Sequence, residues 1–119
     1  MYVLYGIPNC DTVKKARNWL EANKIVYEFH DYKKLGITQT KLKEWSAALG
    51  WELLVNTKGT TWRKLDPAMQ QKINSAKTAI PWLAENTSAI KRPLIEKNGK
   101  VIALGFDPET YPKIFKVAW

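Results

Sequence analysis

Asn98-Gly99, set between the apolar runs Pro93-Leu94-Ile95-Glu96-Lys97 and Lys100-Val101-Ile102-Ala103-Leu104, constrains the fold of this chain more than any other pair of residues in it. An Asn-Gly loop tolerates the positive φ angles of the tight turn whose twist matches its flanking strands, so the two runs read as an antiparallel hairpin. The other end of the chain dictates a different connection. Tyr2-Val3-Leu4-Tyr5 is a short apolar run bounded by Gly6 and Pro8, as for a strand buried on both faces. From Asp11 to Asn23 the period is helical, with Val13, Ala16, Trp19 and Leu20 on one side. Lys24 to His30 then alternates, with Ile25, Tyr27 and Phe29 on one face. A strand, a helix and a second strand imply a parallel pair with a right-handed crossover.

Between these ends the spacing predicts helices and no strands. Thr38 is placed to cap a helix reaching Leu49, with Leu42, Trp45, Ala48 and Leu49 as its apolar stripe. Residues 56–61 form a polar loop; Asp66-Pro67 opens a helix through about Ala76; a shorter helix spans Ala79 to Glu85, with Ile80, Leu83 and Ala84 inward. After the hairpin, Asp107-Pro108 repeats the cap-then-proline device and opens a last helix with Tyr111, Ile114 and Phe115 inward. The order β-α-β, helical block, β-β-α is the thioredoxin-like arrangement: an α/β fold with a mixed sheet and a helical insertion, at residues 36–90, between the second and third strands. With 119 residues the expectation is one domain, 1–119.

Apolar residues make up 45% of the chain and charged residues 25%, the balance of a globular protein. No stretch reaches the roughly 18 uncharged apolar residues of a membrane span. The N-terminus lacks the basic region and small-residue cleavage site of a signal peptide, so a cytoplasmic location is expected. Nineteen Lys and Arg against 11 Asp and Glu give a formal net charge of +8, which favours anionic partners: nucleic acid, small oxyanions, glutathione or an acidic protein surface. The basic residues are scattered in pairs, without zinc-finger spacing or an RNA-binding sheet motif, so nucleic acid is the least supported of these. One cysteine and one histidine, His30, supply neither an internal disulfide nor a four-ligand Cys/His metal site.

The chemistry converges on Gly6-Ile7-Pro8-Asn9-Cys10-Asp11-Thr12. Cys10 follows the first strand and begins the first helix, and ligands of open α/β sheets bind at the carboxyl ends of strands. Unsatisfied N–H groups and the positive end of the helix dipole favour an anion there, and a thiolate is one. Lys14 and Lys15 add positive charge one turn on. The plain alternative is a small core cysteine. His30 is either a base near Cys10 or a structural residue at a strand end. The six tryptophans, at 19, 45, 51, 62, 82 and 119, read as packing residues, with Trp62 beside Arg63 the candidate wall of a cleft.

The run from Tyr5 to Leu20 around Cys10 resembles the opening of the arsenate reductase-like family, which also contains the Spx regulators and the YffB proteins. Phe29-His30-Asp31-Tyr32-Lys33-Lys34, Gly59-Thr60-Thr61-Trp62-Arg63-Lys64-Leu65, and Lys91-Arg92-Pro93-Leu94 followed by Gly105-Phe106-Asp107 match further segments of that family, in order, closest to the YffB branch. The resemblance implies that Cys10 is the nucleophile. It implies too that Arg92 holds an anion beside it, and that Pro93 is the proline, often cis, facing the cysteine across such folds. Asn9, Thr12, Lys14 and Arg63 are secondary candidates for contact with an anion or with glutathione; for Arg92, Lys14 and Arg63 the alternative is a solvated surface charge.

Two departures narrow the function. Where arsenate reductases of this type carry two further clamping arginines, this chain has Leu54-Val55-Asn56 and Phe106, and neither Asn nor Phe reproduces a bidentate guanidinium fork. Position 13, where a Cys-x-x-Cys motif would hold its resolving thiol, is Val13, so an external thiol has to complete any turnover. The expectation is a monothiol, glutathione-dependent reductase acting on a disulfide or small oxyanion, with glutathione as cosubstrate, glutaredoxin a second reductant, no bound cofactor or metal, and a monomeric state. The alternative is an Spx-like adaptor that binds RNA polymerase or another protein.

Overall fold

In the computed structural model, which describes residues 1–116, the N-terminal runs become β1 (Tyr2–Gly6), α1 (Asp11–Ala22) and β2 (Tyr27–Asp31). The hairpin runs form β3 (Leu94–Lys97) and β4 (Lys100–Leu104), and Asn98 and Gly99 take φ angles of 51° and 82°, as the turn requires. Four strands make one mixed sheet in the order β2-β1-β3-β4, with β1 parallel to β2 and antiparallel to β3. The α/β thioredoxin-like arrangement predicted from the sequence is the one observed.

The chain divides into two compact units: Met1–Tyr32 together with the segment from Arg92, and Lys33–Lys91. In the sheet unit, register and alternation set Leu4, Phe29, Ile95 and Ala103 on one face. There they meet Val13, Ala16 and Leu20 of α1, with Tyr111 and Phe115 completing a buried cluster. Gly6 is required at the end of β1: a Cβ there would stand 2.8 Å from a methyl of Val13, so its absence lets the first turn of α1 lie against the strand. Arg17 ties α1 to the edge strand β2, its guanidinium 4.0 Å from the ring of Phe29 and its Nε donating to the Tyr27 hydroxyl at 2.9 Å. The opposite face carries Tyr5, which stacks on His30 and donates from its hydroxyl to the buried carboxylate of Glu96 at 2.9 Å.

The helical unit holds α2 (Tyr32–Leu35), whose first residue belongs to the sheet unit, α3 (Gln39–Leu49), α4 (Trp51–Leu54), α5 (Thr60–Arg63), α6 (Pro67–Lys72), α7 (Ala76–Glu85) and a 3₁₀ turn at Thr87–Ala89. Thr38 caps α3, its Oγ1 accepting from the Lys41 N–H, and Asp66 caps α6, accepting from the Met69 N–H with Pro67 in the first turn. Trp45 and Leu42 are fully buried, whereas Ala48 of the expected stripe is exposed. Trp62 packs edge-on against Trp82 within this unit.

Several boundaries differ from the sequence reading, each for a local reason. Lys24, expected in the second strand, takes a left-handed φ of 56° in the turn after α1, so β2 starts at Tyr27. The polar loop contains the single turn α5. The helix from Pro67 stops at Lys72, and the next begins three residues before Ala79 because Ser75 and Thr78 form a reciprocal capping box. The block is not free of strand pairing: Val55 bridges Ile90. Asp107-Pro108 makes a turn in which the Asp107 carboxylate accepts from the Glu109 N–H, and the last helix, α8 (Tyr111–Ile114), starts after it. Trp119 lies outside the described residues.

Two expected outcomes follow from this packing. Leu4→Ala, at a site with no exposed surface, lowers the unfolding free energy by roughly 2–5 kcal/mol, measurable by denaturant titration. Burial also raises the phenols of Tyr32 and Tyr111 above the ordinary tyrosine range. The folded chain therefore keeps those protons at pH values where the unfolded chain, with tyrosine pKa near ~10, releases them. Their contribution to stability is complete below about pH 10 and is lost as pH rises further. Denaturant midpoints should fall between pH 9 and 11 (about one unit either side of the free phenol), less steeply in Tyr32→Phe.

Candidate active site

Cys10 owes its position to three things: the end of β1 at Gly6, the short connection Ile7-Pro8-Asn9, and the start of α1 at Asp11. It is the N-cap of α1, with extended backbone angles of φ −139° and ψ 124°, and its carbonyl accepts from the Lys14 N–H at 2.9 Å. The side chain makes no capping hydrogen bond, so the sulfur is not engaged in holding the helix. It is half-buried, packed against the core under α1, while Asn9, Thr12 and Lys14 around it are exposed. A half-buried thiol at the start of a helix, among exposed polar and cationic neighbours, is open to reagents from solvent.

The sheet brings two more segments to the same end of β1. Gly6 pairs with Asp31, the last residue of β2, and Tyr5 pairs with Leu94, the first residue of β3. Residues following β2 and preceding β3 therefore flank the loop that carries Cys10. They are Tyr32 on one side and Arg92-Pro93 on the other, with Pro93 buried and the Arg92–Pro93 peptide bond cis. Tyr32 has no exposed surface. Burial raises its phenol, the positive charge and hydrogen bond of Arg92 oppose that rise, and the nearby Cys10 and Asp31 add to it. Arg92 is thus hydrogen-bonded to this phenol, and Cys10 is near enough for its charge to be felt there. Arg92 is itself half-buried.

Of the residues marked in the sequence, Cys10, Asn9, Thr12, Lys14, Arg92 and Pro93 all lie in the sheet unit, and Arg63 is the exposed last residue of α5 in the helical unit. His30 shares the sheet face of Tyr5 and Glu96, opposite the face covered by α1, and its ring centroid lies 4.9 Å from that of Tyr5. Tyr32 was missed as a site residue. Its signal was its place one residue past the carboxyl end of a parallel strand, where α/β sheets gather their functional groups. Phe106, where a clamping arginine was absent, packs on Tyr111 at 4.9 Å, and Leu54 and Val55 are buried. Among the described residues no group of three or more His, Cys, Asp or Glu is gathered to hold a metal, and no helix is long and apolar enough to cross a membrane.

Known proteins are similar to this chain over most of its length. A solved structure of a YffB protein is 45% identical, with a TM-score of 0.89 over 96% of this chain and 98% of that one. A protein from Haemophilus influenzae is 42% identical over 97% of this chain and 99% of its own length. The global transcriptional regulator Spx of Streptococcus mutans is more distant, 26% identical over 92% of this chain and 79% of its own. The model of the ArsC family matches residues 5–114, so a span that takes in the end of β1, Cys10, the helical unit and the Arg92-Pro93 segment makes this chain a member of the ArsC family.

Proposed function

We propose that this chain is a monothiol oxidoreductase of the arsenate reductase type that works with glutathione, and that Cys10 is its nucleophile. One observation carries the reading: the chain's one cysteine is the N-cap of α1, at the sheet end where Tyr32 and Arg92 also lie. The thiolate of Cys10 attacks one sulfur of a substrate disulfide, forming a mixed disulfide and releasing the other half as a thiolate. With Val13 in place of a resolving cysteine, a glutathione thiolate attacks the Cys10 sulfur and expels the second half of the substrate. A second glutathione then attacks the glutathione sulfur of that adduct, freeing Cys10 and leaving oxidised glutathione. One disulfide is reduced, two glutathiones are oxidised, and no bound cofactor takes part; a glutaredoxin can replace the last glutathione.

Glutathione carries carboxylates, and Arg92 with Lys14 offers them cationic donors, while Asn9 and Thr12 offer polar contacts and Pro93, buried after its cis peptide bond, lies at the same sheet end. Arsenate is the less favoured substrate, since Leu54-Val55-Asn56 and Phe106 stand where further guanidinium groups would be needed: Leu54, Val55 and Phe106 pack, and Asn56 carries no such fork. Likeness to Spx supports a second reading, an adaptor that binds a protein such as RNA polymerase, in which Cys10 is dispensable.

Exposure to oxidised glutathione should add one glutathione to the intact protein by mass spectrometry and none to Cys10→Ser. Reduction of a small mixed disulfide in a glutathione-coupled assay should fall to background in Cys10→Ser. It should drop by roughly ten- to a hundredfold in kcat/KM in Arg92→Ala, the loss expected for one charged hydrogen bond. An intact protein that takes up no adduct sinks the reductase and moves the reading to the adaptor.

A further inference from the structure

We propose that Tyr32 is a positioning residue for Arg92: its buried phenol oxygen accepts a hydrogen bond from the guanidinium and fixes that group where an anionic partner arriving at Cys10 will meet it. This rests on the reading of Cys10 as nucleophile but not on the identity of the anion. The backbone supplies the first part of the argument. Asp31 pairs with Gly6 and Leu94 with Tyr5, so the residue after β2 and the residues before β3 emerge on either side of the strand that leads to Cys10. Their side chains supply the second. Tyr32 is fully buried, Arg92 is half-buried, and the two are hydrogen-bonded.

The type of partner matters. A long arginine on a surface samples many rotamers, and ordering it when a ligand arrives costs conformational entropy. A carboxylate partner would order it and also cancel its charge. A phenol kept neutral by its burial orders the guanidinium and leaves the positive charge for the incoming anion. Tyr32 thus serves the site through Arg92.

Two alkylating agents test this without reference to glutathione. The Cys10 thiolate displaces iodide from either the anionic iodoacetate or the neutral iodoacetamide, and the ratio of the two rate constants cancels the thiolate fraction. For the intact protein this ratio should exceed that of a free thiol by roughly tenfold, the value of one charged hydrogen bond. Tyr32→Phe should lower it by about threefold or more, and should change it less than about twofold when Arg92 is already alanine. Arg92→Lys, which keeps the charge but loses the fork that the phenol holds, should lower it to a similar degree even if Tyr32→Phe fails to fold. An intact-protein ratio no higher than that of the free thiol overturns the proposal. So does an unchanged ratio in Tyr32→Phe or Arg92→Lys, or an equal effect of Tyr32→Phe in the Arg92→Ala background. If these ratios behave as expected while oxidised glutathione gives no adduct, the choice of glutathione fails and the role of Tyr32 stands.

Discussion

β1 is the member on which the rest of the sheet unit depends. It pairs along one side with β2 in parallel and along the other with β3 in antiparallel, and among the described residues no other strand contacts both. Because a parallel neighbour ends where β1 ends and an antiparallel neighbour begins there, the topology gathers three backbone ends at one edge. The residues just outside the strands then have a fixed neighbourhood: Cys10 beyond β1, Tyr32 beyond β2, and Arg92-Pro93 ahead of β3. The packing of α1 completes it, since Gly6 allows Val13 to close on the strand end and so sets where the helix, with Cys10 as its cap, begins.

Chemistry at this edge follows from the kinds of groups it collects. A thiol, a guanidinium and a phenol form a set in which one member is ionisable to an anion, one is a permanent cation and one stays neutral in its buried place. The basic surface, with its formal charge of +8, brings anions toward the molecule, but charge spread in pairs along a chain does not orient them. Orientation needs a held cation, and the Arg92 side chain, hydrogen-bonded to Tyr32, is one.

Much of this was legible in the sequence because it rests on short-range rules. Asn98-Gly99 announced the hairpin, the period of Val13, Ala16 and Leu20 announced α1, and Asp66-Pro67 marked the start of α6, all through interactions spanning a few residues. What was misread turned on competition between local signals. Asp66-Pro67 and Asp107-Pro108 look alike, yet the first caps a helix through the Met69 N–H while the second spends its carboxylate on the Glu109 N–H in a turn. Ser75 and Thr78 hold a capping box that periodicity alone passed over. The partners of Tyr32 and Glu96 were not legible for another reason: Arg92 and Tyr5 stand 60 and 91 residues away, and only strand register brings them together.

That separation has a bearing on how the molecule comes into being. The β1-α1-β2 segment pairs residues 25 apart and the β3-β4 hairpin residues closer still, whereas the hydrogen bond from Tyr5 to Glu96 joins residues 91 apart. Pairings of such high contact order are slow to form, because the chain between them must be drawn closed before any contact is gained. On a ribosome, Cys10 leaves the tunnel well before Arg92 and the strand that anchors it. The thiol is therefore made early and its cation late, and the site comes into existence with the docking of the hairpin onto β1.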